Sequence, residues 1–157
     1  MYEVENETIK SIGEFSVVWA VFENDIFDRG CSARAIMRKI SHNEMSPEDN
    51  ELLCLCACFR NELIQFAGGD ESKVIHCLKF RSSEHDASDA VSDWIERDRC
   101  TYVAPIAAAY RIRCNMFHGE KMAWTLNKQR ELFDITSQVL NKYIEMENQV
   151  TIFNNRR

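Results

Sequence analysis

The sequence predicts an all-α domain, and three observations predict it. Breakers are scarce, with 5 Gly and 2 Pro in 157 residues, too few for a turn-rich sandwich or a collagen-like repeat. Apolar residues recur at three- and four-residue steps over long stretches, the period of a helix's buried stripe. Cap-forming residues stand at the ends of those stretches.

Taken in order, Phe15, Val18, Trp19, Phe22 and Ile26 form one stripe and place a helix at about residues 7–28, stopped by Gly30. Ser32 caps a shorter helix ending near Ile40, and HNEMSP follows as a loop. Ser46, Pro47 and Asp49 supply an N-cap, a first-turn proline and an acidic third position. The long helix they start carries Leu52, Leu55, Cys56, Phe59, Leu63 and Phe66, and Gly68-Gly69 ends it. VIHCLKF reads as a short helix, since a lone strand would have nothing to pair with. SSEHDASD reads as a loop in which Asp86 and Asp89 start a helix bearing Val91, Trp94 and Ile95. Pro105 and a run of alanines favour a helix over residues 103–117, with Gly119 placed to stop it. After a loop through Trp124 and Thr125, Leu132, Ile135, Val139, Tyr143 and Met146 mark a last long helix, expected antiparallel to the 103–117 helix, and TIFNNRR reads as a fraying tail. No repeat or linker divides the chain, so residues 1–157 read as one domain.

The chain has 45% hydrophobic and 28% charged residues, which argues against disorder. It has no apolar run of membrane-spanning length and no secretory leader, so a cytoplasmic address without membrane contact is expected. Seven cysteines in no framework spacing read as reduced thiols. Cys54, Cys56 and Cys58 step by two around a helix and cannot converge on a metal, so they read as buried small hydrophobes. His42, His76 and His85 share no ligand spacing, and neither a cofactor motif nor a metal motif is present. The net charge of −6 requires any nucleic-acid site to be a local basic patch.

The segment RIRCNMFHGEK, from Arg111 to Lys121, sets Arg113 and His118 with four residues between them, Asn115 among these, at the end of a helix and ahead of a long amphipathic one. This resembles the Arg-x4-His signature of the HEPN family. WAVFEND in the first helix is similar to an aromatic-plus-acidic pattern of some members, and Glu23 and Asn24 either enter the site from there or belong to a solvated face. The resemblance implies a HEPN-like helical bundle with antiparallel long helices, a homodimer with a composite cleft, and metal-independent endoribonuclease activity of the toxin or defence type. It also implies an antitoxin partner. Some antitoxins modify a tyrosine two residues after the histidine; Glu120 stands there in this chain.

On an ideal helix Arg113 and His118 lie about 140° apart, so they meet only if His118 sits at a terminus that departs from the helix, or across a dimer. The chemistry suits them. Imidazole titrates near neutrality and can move the proton of a ribose 2′-hydroxyl, and guanidinium can hold two phosphate oxygens of the pentacovalent state. The expected roles are catalytic for His118 and Arg113, with Asn115 orienting the histidine or holding a phosphate oxygen. Arg111 and Lys121 are expected to contact backbone phosphates of the RNA substrate. Arg113 and His118 also have plain structural readings, an ion-pair partner and a cation at a helix C-terminus. The alternative reading of the whole is a non-catalytic bundle that binds nucleotide, nucleic acid or protein.

Overall fold

The computed structural model describes residues 3–28, 30–117 and 123–155, and the regular structure among them is helical. The helices are α1 (Asn6–Ile26), α2 (Ala33–Lys39), α3 (Asn50–Phe66), α4 (Val74–Leu78), α5 (His85–Arg97), α6 (Val103–Phe117), α7 (Ala123–Asn127) and α8 (Arg130–Asn154). Single 3-10 turns over Pro47–Asp49, Glu71–Lys73 and Ser82–Glu84 lead into α3, α4 and α5. The expected all-α class is what the chain forms. Among the described residues no helix is long and apolar enough to cross a membrane.

Local chemistry sets the helix ends. Ser32 Oγ accepts the amide of Ala35 at 3.1 Å and satisfies one of the orphan donors at the start of α2. The Asp49 carboxylate reaches back to the amide of Ser46 at 3.2 Å and also accepts the Tyr102 hydroxyl, so one side chain both starts α3 and ties it to the segment entering α6. That carboxylate and the loss of solvent push the Tyr102 hydroxyl up to about 12, desolvation being the larger cause. α3 stops because Gly68 and Gly69 take φ of 78° and 84°, a region costly for any residue with a Cβ. A Cβ at Gly69 would meet no atom within 4 Å, so Gly69→Ala is a test of backbone conformation alone. It should cost about 1–2 kcal/mol in urea unfolding, and a neutral result would show that the turn relaxes.

α8 is the longest helix and packs between two others. Phe133 stacks on Phe15 with ring centroids 5.9 Å apart, and Tyr143 meets Phe22 edge-on at 6.1 Å. Residue numbers therefore rise together, and α1 and α8 run parallel. Against α3 the order reverses: Lys142 pairs with Glu51, while Lys128, Glu131 and Leu132 lie across from Glu62 and Gln65. The N-terminal end of α1 is pinned to α7, where the Asn127 side chain accepts the Glu5 amide at 2.9 Å and donates to the Glu3 carbonyl at 3.1 Å. α6 takes its main support from α5 and α2 and touches α8 only lightly. This corrects the expected pairing of the last helix with the 103–117 helix: a short connection allows that pairing, but α7 occupies the connection and leads α8 toward α1 and α3.

Buried side chains form one cluster that includes Phe15, Phe22, Phe59, Trp94, Val103, Ile106 and Phe133, each large apolar group contributing roughly 1.5–3 kcal/mol. Arginine fastens α3 to α5: Arg60 donates to the carbonyls of Trp94 and Ile95, the acceptors left over at the end of α5. Three further expectations are revised. SSE is a 3-10 turn and α5 begins at His85, Thr125 lies inside α7, and α8 continues through Thr151 to Asn154 where a frayed tail was expected. Of the three spaced cysteines only Cys56 is buried; Cys54 and Cys58 face solvent.

Candidate active site

α6 carries three of the expected site residues at two-residue steps, and the helix period separates them. Arg111 and Asn115 are one turn apart and share a face; Arg113 is about 200° from Arg111 and leaves the opposite side.

On the first face the side chains turn into the protein. Arg111 is 5% exposed. Its Nε donates to the Leu78 carbonyl at 3.2 Å and its Nη2 to the Lys79 carbonyl at 2.7 Å, the acceptors at the C-terminal end of α4, where Lys79 takes φ of 54°. Its Nη1 stands 3.4 Å from Glu84 Oε1, an ion pair without the alignment of a hydrogen bond. The same Glu84 oxygen accepts the Arg81 amide at 2.7 Å. Asn115 is used at both ends: Nδ2 donates to the Leu78 carbonyl at 2.8 Å, and Oδ1 accepts from Arg111 Nη2 at 3.3 Å. Two expectations are thereby corrected. Arg111 does not present its guanidinium to a phosphate backbone, and the Asn115 amide is directed at the end of α4. Both close α4 because its last carbonyls have no helical donor of their own.

On the second face Arg113 is half-buried beside the junction of α1 and α2. Its charge acts on the thiol of Cys31, as do Glu23 and Cys114, so these four side chains form one neighbourhood. Burial, then Glu23 and Cys114, push the Cys31 thiol up to about 12 against the opposing pull of Arg113. Burial thus disfavours the thiolate form of Cys31. Tyr110 is likewise raised to about 12, by burial first and by its hydrogen bond with Cys114 second. Trp19 closes the inner side, its ring 6.1 Å from Tyr110.

The first helix does reach this neighbourhood. Glu23 is half-buried and accepts the Cys31 amide at 3.1 Å, which fixes the entry to α2. Asn24 stays on the solvated face, donating to Asp25 at 3.3 Å. Cys31, Tyr110 and Cys114 were not among the expected site residues, and no sequence spacing links a residue at 31 to residues on α6. His118 and Lys121 lie outside the described residues. Among the described residues no group of three His, Cys, Asp or Glu side chains could hold a metal ion.

Arg113, on the last turns of α6, carries a guanidinium, the planar group that pairs with oxyanions through two parallel hydrogen bonds. Compared with known proteins, the chain matches no family model, no curated protein and no solved structure.

Proposed function

We propose that this chain is a metal-independent endoribonuclease of the HEPN type. The observation that carries the reading is the division of labour on α6. Arg111 and Asn115 close α4, and Arg113 lies on the other face of α6, five residues ahead of His118, where its charge and that of Glu23 both act on Cys31. In this reading His118 moves the proton of a ribose 2′-hydroxyl, the 2′-oxygen attacks phosphorus, and the 5′-oxygen leaves with a proton. The products are a 2′,3′-cyclic phosphate and a 5′-hydroxyl. Arg113 holds the phosphate oxygens on which charge grows. Glu23 is a positioning residue, acting through the α1–α2 junction and the guanidinium. Lys121 remains the proposed contact to a backbone phosphate.

A homodimer belongs to the proposal, because two copies would complete the cleft. It is supported by the exposed apolar pair Val17 and Val21, one turn apart on α1 and 65% and 44% accessible. A role as toxin or defence effector, neutralised by a protein partner, follows from the same reading; its mark would be growth arrest on expression, relieved by His118→Ala.

The test is cleavage of a labelled RNA pool in EDTA by the wild type and by His118→Ala. We expect wild-type cleavage leaving cyclic phosphate ends and a loss of about 10²–10⁴-fold in the variant. A folded wild type that leaves both transfer and ribosomal RNA intact would overturn the enzyme in favour of a binding module.

A further inference from the structure

The three cysteines of α3 do not behave alike. Cys54 and Cys58 face solvent, while Cys56 is 1% exposed and belongs to the core. Their spacing excludes a metal shared among the three. It is silent about ligands that reach Cys56 from elsewhere in the chain, and the fold brings two such residues to it.

Glu44 and Thr101 form an antiparallel bridge, and the Met45 amide donates to the Cys100 carbonyl at 3.1 Å. This pairing sets the Met45 thioether against the Cys100 thiol, which donates to Met45 Sδ at 3.8 Å. Cys100 is also in hydrogen-bond contact with the Cys56 thiol. Sulfurs from residues 45, 56 and 100 therefore gather where α3, the loop before it and the segment entering α6 join. Cys56 is the inner member; Met45 and Cys100 are half-buried and leave the group open on one side. The contact with Cys100 first, and burial second, push the Cys56 thiol well above its ordinary value, so a cation that binds here must displace its proton.

The number and kind of these ligands select the ion. Thiolate and thioether sulfur are soft and suit Cu(I), whereas Ca²⁺ and Mg²⁺ take oxygen. Structural Zn²⁺ takes four ligands, and among the described residues no group of three His, Cys, Asp or Glu side chains is placed to hold a metal. Two cysteines and one methionine supply three sulfurs. With metal–sulfur bonds of about 2.3 Å, three sulfurs around one ion stand about 4 Å apart, close to the 3.8 Å between Cys100 and Met45. Plain packing accounts for the burial of Cys56; it does not require two thiols and a thioether from three segments to share one point.

We propose that Met45, Cys56 and Cys100 bind one Cu(I) ion in a three-sulfur site. Both thiols give up their protons and the thioether binds neutral, so Cu⁺ and the two thiols yield a complex of net charge −1 and two free protons, with no change of oxidation state. The ion ties α3 to the chain just ahead of Val103, where α6 starts. The site is built on elements other than those around Glu23 and Cys31, and it does not rest on the ribonuclease reading.

The test uses the full chain with Cys54→Ser and Cys58→Ser, which removes the exposed thiols, reduced and kept free of oxygen. Cu(I) is supplied as its bicinchoninate complex, whose loss of colour reports transfer to the protein. The expected result is uptake of one Cu(I) per chain, sulfur neighbours at about 2.3 Å by X-ray absorption, and a melting midpoint raised by copper. Adding Met45→Leu, which nearly conserves volume, should weaken uptake tenfold or more. Adding Cys100→Ser should weaken it a hundredfold or more and abolish the rise in midpoint. A reference chain that takes no copper from bicinchoninate would overturn the site, as would equal uptake after Cys100→Ser. Unchanged affinity in the folded Met45→Leu chain would overturn the three-sulfur arrangement. Zn²⁺ that displaces Cu(I) at equal concentration would overturn the choice of ion. A Cys56–Cys100 disulfide found by mass spectrometry in chain alkylated at cell lysis would replace the site by a covalent link. The RNA cleavage assay decides the enzyme reading separately.

Discussion

Replacing Arg111 by methionine should cost about 3–5 kcal/mol of stability, the usual penalty for removing one member of a buried ion pair. The reason lies in what remains. Glu84 would keep its charge in a site where its side chain is 9% exposed, and the carbonyls of Leu78 and Lys79 would lose donors at 3.2 and 2.7 Å. The packed methylenes survive the change, so the loss is electrostatic and hydrogen-bonding. For a domain of this size the midpoint of thermal unfolding should fall by roughly 6–20 °C. Arg111→Lys should recover little, because one ammonium cannot span acceptors on both α4 and the Ser82–Glu84 turn. Thermal melts followed by circular dichroism check this. An unchanged midpoint with weakened RNA binding would restore the phosphate-contact role that the sequence alone suggests for Arg111.

Arg113→Ala should do the reverse. On the proposed mechanism it removes a donor to the charge that grows in the transition state, an effect of about 10²–10³-fold on kcat. Because Arg113 is only half-buried, we expect a much smaller change in melting temperature than for Arg111. Arg113→Lys keeps the charge and loses the planar fork, so it should recover only part of the rate. Two arginines two residues apart are thus assigned opposite outcomes, one thermal and one catalytic. A variant at Arg113 that unfolds like Arg111→Met while its residual folded fraction cleaves normally would reassign Arg113 to the scaffold.

How far the sequence was legible follows from where each interaction is written. The bounds of α6 and the Ser32 cap of α2 could be read because alanine runs, Pro105, Ser32 and Ile40 act within a few residues of where they stand. The α1 stripe could be read because burial of Phe15, Trp19, Phe22 and Ile26 repeats with the helix period. α7 could not, since five residues are too few to display a period. The start of α5 was hidden because SSE and His85 are polar and resemble a loop in composition. The face chosen by α8 was hidden because its own stripe says which side is apolar and is silent about which helix covers it. In the site, the Arg-x4-His spacing marked Arg113 but not its surroundings: Glu23 and Cys31 arrive from elements far away in sequence. Nor does any pattern reveal that Arg111 answers main-chain carbonyls, which every residue type carries alike.

The parallel contact of α1 with α8 has a consequence for how the chain is made. Phe15 and Phe22 are covered by Phe133 and Tyr143, partners that leave the ribosome more than a hundred residues later. At about 5–20 residues per second the stripe on α1 waits on the order of 6–24 s for its cover. During that interval α2 to α6 can assemble through shorter-range contacts while three aromatic rings of α1, Phe15, Trp19 and Phe22, are deprived of part of their final packing. Nascent chains of this protein should therefore be clients of a holding chaperone until α8 emerges, and closure of the first helix against the last should be the late, slow event of folding.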